Sequence, residues 1–225
     1  MIGPGDFRSA NLPSQLRNPP AANNSSDDRL TIAILKRHNP SSDIFEVIML
    51  AYLFVLFAVA SRLPFFPHPW NFTPVVAALL FFGARGSRRQ MWMPLALLIA
   101  SDLILDKYVY AYAFSWDLFL TWGWYAAILG LGTLLRPNSK PLRIAGAALT
   151  GAVTFFLISN FGVWASTNMY PKSFSGLMVC YTAGIPFFRR ALEGDMLYTA
   201  VMFGLPVVVA AIARSMSKPH GTAAA

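Results

Sequence analysis

Beyond Glu46 the chain holds five acidic residues, Asp102, Asp106, Asp117, Glu193 and Asp195, set among long apolar runs. A carboxylate in such surroundings is costly unless paired, and within a membrane it points to a polar cavity or a functional contact. Arg62, His68, Asn71 and Asn160 lie in or beside the same runs. This set suits the holding of a small polar organic molecule. It does not suit bond chemistry, because no nucleophile and base can be paired. Of the three histidines, His38 and His220 lie in or near the terminal tails, which leaves His68 alone. No Gly-Lys-Ser/Thr phosphate loop is present, so ATP hydrolysis by that route is excluded and any driving ATPase is another chain. The single cysteine, Cys180, excludes an internal disulfide and a cysteine metal cluster. No catalytic residue, metal site or cofactor is expected.

Each candidate also has a plainer reading. Asp102 and Asp106 can be solvated at a helix end. Asn71 and Thr73 before Pro74 make an ordinary helix start with an early proline. Arg62 directly follows the first apolar run and can snorkel to headgroups. Trp70, Trp116, Trp122, Trp124 and Trp164 fit an aromatic belt at the membrane boundary. Asn160 is harder to explain away, since it sits four residues inside the end of a long apolar segment, where an unpaired amide is costly.

The elements that must position these residues are membrane helices. Apolar residues make up 56% of the 225 and charged ones 12%, against about 25% charged in soluble domains. The mean hydropathy of +0.49 agrees. The net charge of +8 sits beside apolar runs, so membrane topology explains it and nucleic acid is not a partner. Residues 1–43, rich in Pro, Asn, Ser and Asp, cannot bury a core and read as a disordered cytoplasmic tail, with Leu30 to Arg37 as a short interfacial patch. No apolar stretch of the signal-peptide kind follows the start.

From Ile44 onward six apolar segments follow, in a membrane domain of residues 44–214 with a short cytoplasmic tail at 215–225. They run from Ile44 to Ala60, Asn71 to Ala84, Met91 to Leu105, Asp117 to Leu135, Leu142 to Trp164 and Gly194 to Ala213. The second is too short for its task. Its apolar run from Phe72 to Ala84, 13 residues, spans roughly 20 Å as a helix, against about 30 Å of hydrocarbon. Short segments interrupted by Pro74, Pro94 and Pro206 are expected where backbone lines a polar cavity instead of lipid. Small residues four apart, Ala147 with Gly151, Ala148 with Ala152, Gly123 with Ala127 and Ala126 with Gly130, predict close helix packing. The connection from Ala165 to Gly194 reads as a long outer loop with a short amphipathic helix over Lys172 to Thr182, suited to cover a cavity.

With the N-terminus inside, the inner flanks hold ten basic residues: Lys36, Arg37, Arg85, Arg88, Arg89, Arg136, Lys140, Arg143, Arg214 and Lys218. The outer flanks hold five: Arg62, Lys107, Lys172, Arg189 and Arg190. Both termini are therefore expected in the cytoplasm. The fold class is an all-α membrane protein, a six-transmembrane-helix bundle, multi-pass in the cell (inner) membrane. In this topology all five acids lie near the outer ends of helices.

The runs "ASRLPFFPHPWNFTPVVAALLFFGAR…PLALLIASDLIL" and "SNFGVWASTNMYPKSFSGLMVCYTAGIPFFRRALEGDMLY" resemble an uncharacterised bacterial family described as transport proteins. That family is similar to the substrate-binding S components of energy-coupling factor (ECF) transporters. The resemblance covers Arg62 to Gly204, with "NFTP" at Asn71 to Pro74, "SD" at Ser101 and Asp102, and "SNF…W" from Ser159 to Trp164. It implies six helices, cytoplasmic termini and an outward-opening site for a vitamin or similar micronutrient. The implied partners are that nutrient, the lipid bilayer, and a membrane coupling subunit with its ATPases. One feature departs from the pattern. S components often carry alanines four apart on the first helix, whereas "AYLFVLFAVA" offers Ala51, Ala58 and Ala60, so coupled and solitary forms both stay open.

The expected function is uptake of a small polar nutrient, bound on the outer face by Arg62, Asn71, Asp102, Asn160, Trp164 and Asp195. Asp102 and Asn160 are expected to share one cavity, with Arg62 or Asn71 within hydrogen-bonding reach of at least one. A structural or accessory subunit of a larger membrane complex is the alternative.

Overall fold

The computed structural model describes residues 40–64, 71–135 and 137–216. The tail over 1–39 with its 30–37 patch, His68, Trp70, Arg136 and the residues after 216 lie outside this set. The described residues form α-helices joined by short turns, with no strand among them. They are α1 (Pro40–Ser61), α2 (Val75–Arg85), α3 (Trp92–Ile104), α4 (Leu118–Gly132), α5 (Pro141–Ser166) and α6 (Phe174–Met216). Each of the six apolar segments carries one of them.

The short α2 is the centre. Every residue from Val75 to Gly83 is buried. Around it pack α4, α5 and α6, and α1 meets it through ring contacts, with Ala51, Val55 and Ala58 buried in the same apolar core. Aromatic rings interlock on this surface: Tyr52 meets Phe82 edge-on, and Phe81 is held between Phe54 and Phe203. A helix apolar on all sides must be enclosed by protein or lipid; here protein encloses it. Ala51 and Ala58 of α1 form part of this core, and Ala60 does not.

Glycine sets the distance between α2 and α4. A Cβ at Gly83 would lie 2.2 Å from the Leu129 carbonyl oxygen, and one at Gly132 would lie 2.6 Å from that of Leu80. The two helices cross glycine on glycine, where backbone meets backbone. The expected small-residue spacing holds in α5, where Ala147, Ala148, Gly151 and Ala152 are buried and Gly151 abuts the Val76 side chain. It does not hold for Gly123 and Gly130, which face open space.

The outer connection departs from expectation. Instead of a loop with an isolated helix, α6 runs unbroken for 43 residues through Pro186 and Pro206, about 64 Å at the usual rise. Its first half lies against the end of α5. A Cβ at Gly184 would meet the Asn160 side chain at 2.5 Å, the Tyr181 hydroxyl donates to the Leu157 carbonyl at 3.0 Å, and Phe156 packs on Tyr181 and Phe188. This packing carries the helix past "GIP". A proline inside a helix removes one donor, a loss that an apolar environment and helix neighbours tolerate.

Two helices, Pro141–Ser166 and Phe174–Ala213, are long and apolar enough to cross a membrane. They are largely uncovered: 22% and 11% of their most apolar stretches is buried.

Candidate functional site

Three helices end or begin at one level. At the end of α1 a turn closed by Arg62 N–H to the Val59 carbonyl (3.2 Å) and Leu63 N–H to that of Ala60 (3.0 Å) releases the Arg62 side chain from the helix. α2 begins directly at Pro74, whose carbonyl accepts from Ala78 N–H at 2.9 Å, and no side chain caps it. Asn71 and Thr73 therefore do not serve as the cap expected of them. Asn71 instead takes a left-handed turn at φ 61°, a conformation that asparagine adopts more readily than most residues. α3 ends by widening into a π turn over Leu105–Val109, closed by Tyr110 N–H to the Leu105 carbonyl at 2.9 Å. Such turns recur at functional sites.

Between these ends lies a cavity of about 510 Å³. Arg62, Asn71, Thr73, Asp106 and Asp195 provide its polar lining, and Tyr110, Trp124, Tyr125 and Phe155 its aromatic lining. Val75 and Val76, the first turn of α2, line it as well. The volume is that of a small-molecule site.

Arg62 is fixed from behind. Its guanidinium forms an ion pair with Asp102 and donates to Ser101 Oγ at 2.8 Å. The exposed fractions of the two side chains are 19% and 5%. Asp102 also accepts from Trp122 Nε1 at 3.0 Å and from the Tyr125 hydroxyl at 3.3 Å. Both carboxylate oxygens are thus engaged, which is the condition for a buried ion pair to offset its desolvation. Asp102 holds the arginine and does not itself line the cavity.

Asp195 stands differently. α6 carries it one residue beyond Gly194, where a Cβ would meet Phe72 at 3.2 Å, so the lack of a side chain lets the 72–73 segment come close. Asp195 is 5% exposed, lines the cavity, and makes no hydrogen bond or ion pair among the described residues. One turn further, the buried Thr199 hydroxyl is also without a partner. Asp106, beyond the apolar stretch of α3, has its carboxyl pushed above the ordinary range by burial. The charge of Asp102 adds to this, and Arg62 opposes it.

Residues 42–217, which include all but the first two residues of the six helices, match the model of a family of unknown function, DUF6580. The chain belongs to that family. No curated protein and no solved structure matches it. For this DUF6580 member the roles of residues accordingly rest on geometry.

Of the six site residues expected from the sequence, Arg62, Asn71 and Asp195 come together in the cavity, and Asp102 supports Arg62. The hydrogen-bonding partner expected for Asp102 is Arg62. Asn160 and Trp164 lie elsewhere. Asn160 is five positions past Phe155, about 7.5 Å further along α5. Its Nδ2 donates to the Phe156 carbonyl at 2.8 Å while the residue packs on Gly184, and its own carbonyl accepts from Cys180 Sγ at 3.3 Å. The costly amide is satisfied within the α5–α6 contact, so the expected sharing of one cavity by Asp102 and Asn160 does not occur. Trp164 donates to the Pro171 carbonyl at 2.9 Å, and the Lys172 ammonium lies 5.7 Å over its ring. Lys172 also bonds the carbonyls of Trp164, Ala165 and Thr167, where a cation caps the end of α5.

Sequence reasoning missed the aromatic lining. Trp122 and Trp124 read as an aromatic belt, yet Trp122 bonds Asp102 and the buried Trp124 donates to Thr154 Oγ1 at 3.0 Å. Trp122 and Tyr125, three apart on a helix, form one face with two donors. That spacing was the available signal.

Proposed function

We propose that the protein is a six-span membrane protein with cytoplasmic termini that binds a small polar organic nutrient, such as a vitamin, in the cavity lined from all six helices and their ends for uptake from the outer side. The observation that carries this reading is the cavity itself, in which an arginine is held ready by Asp102 and a buried carboxylate, Asp195, has no partner among the described residues. Buried ionisable groups within membrane helices are costly and mark substrate paths.

The membrane setting is supported by the outward faces of the helices. Leu53, Leu56 and Phe57 of α1, Phe119 of α4, Leu149 and Leu157 of α5, and Val201, Val208 and Ile212 of α6 are exposed. A soluble monomer rarely shows apolar surface on so many faces. In a bilayer the same surface is solvated by lipid. Under this reading α5 and α6 cross the hydrocarbon, and the shorter helices share the thickness with the cavity.

Titration of purified, folded protein with a panel of vitamins and related micronutrients tests the proposal. Saturable binding supports it, and silence across the panel with folded protein overturns it. Transport driven by ATP would require a separate coupling subunit and ATPases. Ala51 and Ala58 of α1 are buried in the core, which favours a solitary carrier or a different docking face. A second reading, as an accessory subunit of a larger membrane complex, draws on an apolar groove of about 450 Å³ between α1 and α6, lined by Leu53, Phe57, Leu197 and Val201 among others. Co-purification of a stoichiometric partner without any small ligand would favour it.

A further inference from the structure

We propose that the molecule taken into the cavity is an organic cation, a protonated or quaternary amine, and that Asp195 is its counter-ion. This rests on the binding role proposed above and specifies the ligand's chemical class.

The argument starts from the charges. Among the described residues the cavity lining contains one basic side chain, Arg62, and two acids, Asp106 and Asp195. The arginine is already answered by Asp102 behind it. Asp106 lies within the field of that same arginine. Neither acid has an ion-pair partner or a hydrogen-bond donor for its side chain among the described residues, but Asp195 is the buried one, 5% exposed, whereas Asp106 is only half-buried. Enclosed in this way, the ionised carboxylate is favourable only when a positive group or a set of donors reaches it. Nothing in α6 supplies one, for Arg189 and Arg190 are on its exposed surface. Among the described residues no positive group reaches it, and a cation entering the cavity would supply one.

The walls suit such a guest. Tyr110, Trp124, Tyr125 and Phe155 line the space, and aromatic faces attract ammonium groups more strongly as water is excluded. A carboxylate together with an aromatic enclosure is the arrangement by which amines are recognised, whereas a bare metal ion would need several oxygen ligands converging on one point. No group of three or more acidic, histidine or cysteine side chains placed to hold a metal ion exists among the described residues. The volume of about 510 Å³ also exceeds what a single ion occupies.

The test uses the full-length protein in detergent and charge-matched series on indole, phenyl and pyrimidine scaffolds. On indole these are tryptamine as cation, tryptophol as neutral member and indole-3-propionate as anion. Isothermal titration measures each affinity. The expected result is that the cation binds at least tenfold tighter than its neutral and anionic counterparts on at least one scaffold, and that Asp195→Asn reduces this preference to below threefold. Binding led by neutral or anionic members overturns the cation inference and leaves the nutrient-site reading standing. A cation preference unchanged in Asp195→Asn overturns the role of Asp195. Silence from every member of every series overturns both. Should Asp195→Asn fail to fold, the charge series on the unaltered protein still decides the sign of the ligand.

Discussion

Replacing Asp102 by alanine removes the partner of Arg62 and the acceptor of two further donors, Trp122 Nε1 and the Tyr125 hydroxyl. The cost can be built from these parts. Leaving one member of a buried ion pair uncompensated costs about 3–5 kcal/mol. Arg62 keeps its bond to Ser101 and is 19% exposed to the cavity, where water can reach it, so its share falls at the lower end. The two stranded donors add about 1–3 kcal/mol each if they stay dry, though the space left by the carboxylate admits a water between them. A total of about 3–5 kcal/mol follows. For a chain of this size, 1 kcal/mol shifts the melting temperature by about 2–4 °C, so Asp102→Ala lowers it by roughly 6–20 °C.

The same reasoning makes a second, sharper demand. Because most of the loss comes from an orphaned charge and not from a missing attraction, removing the charge as well should restore stability. Arg62→Met with Asp102→Leu is expected to melt higher than Asp102→Ala alone, while ligand binding is lost because the cavity has lost its arginine. Thermal unfolding in detergent, followed by intrinsic tryptophan fluorescence, measures all three proteins. A shift below about 3 °C for Asp102→Ala, or a double variant no more stable than the single one, would refute the account of Asp102 as the group that holds Arg62.

Gly83→Ala and Gly132→Ala each drive a Cβ into the backbone of the facing helix and should cost about 1–3 kcal/mol or more. Gly130→Ala, which meets nothing within 4 Å, should be neutral or stabilising by up to about 1 kcal/mol; chemical denaturation of the three compares them. Asn160→Ala should lower stability through the α5–α6 contact yet change ligand affinity less than twofold, and a large loss of affinity with stability intact would return Asn160 to the site. A topology reporter fused at Ser139 should read cytoplasmic and one at Lys172 external; the reverse would place the cavity on the inner side.

The sequence made some of this legible and hid the rest for physical reasons. Helix existence was readable because apolar runs of this length leave few alternatives, and every expected segment holds a helix. The place where a helix stops was harder. Pro171 and "GIP" suggested a break before Gly194, but Gly184 fits closely on Asn160 and the helix continues; a break signal is local, and the contact that overrides it is 24 residues away (184 minus 160). Arg62 and Asp102 stood out because charge is rare in these runs. Their shared level followed from alternating topology alone, since α1 and α3 end on the same side. The same logic misplaced Asn160, because it assumes that all helices have equal reach. α5 extends past the level of α1 and α3, so its end lies beyond the cavity. Donors such as Trp122 and Tyr125 were hidden by their own chemistry, since an indole or phenol looks the same whether it faces lipid or a carboxylate.

The shortness of α2 explains the cavity. Eleven residues give about 16 Å of helix, little more than half of the hydrocarbon thickness. A second helix of ordinary length would continue past Val75 into the space now lined by Arg62, Asn71 and Asp195. Under the proposed membrane setting, its absence there would expose unpaired backbone to apolar surroundings, which a bilayer does not permit. The segment around Asn71 to Pro74 avoids this by turning beside polar side chains in an enclosed space. Val75 and Val76 line the space from the α2 end, while α1 and α3 stop nearby with a basic and an acidic residue joined to each other. α6 passes through that level without interruption, and it carries into the space Asp195, a buried carboxylate that no described residue answers. Lengthening α2 by replacing Asn71 to Pro74 with helix-forming apolar residues should therefore fill the cavity and abolish ligand binding without unfolding the bundle. Loss of binding with a raised or unchanged melting temperature supports this reasoning, and retained affinity in a folded variant would place the site elsewhere.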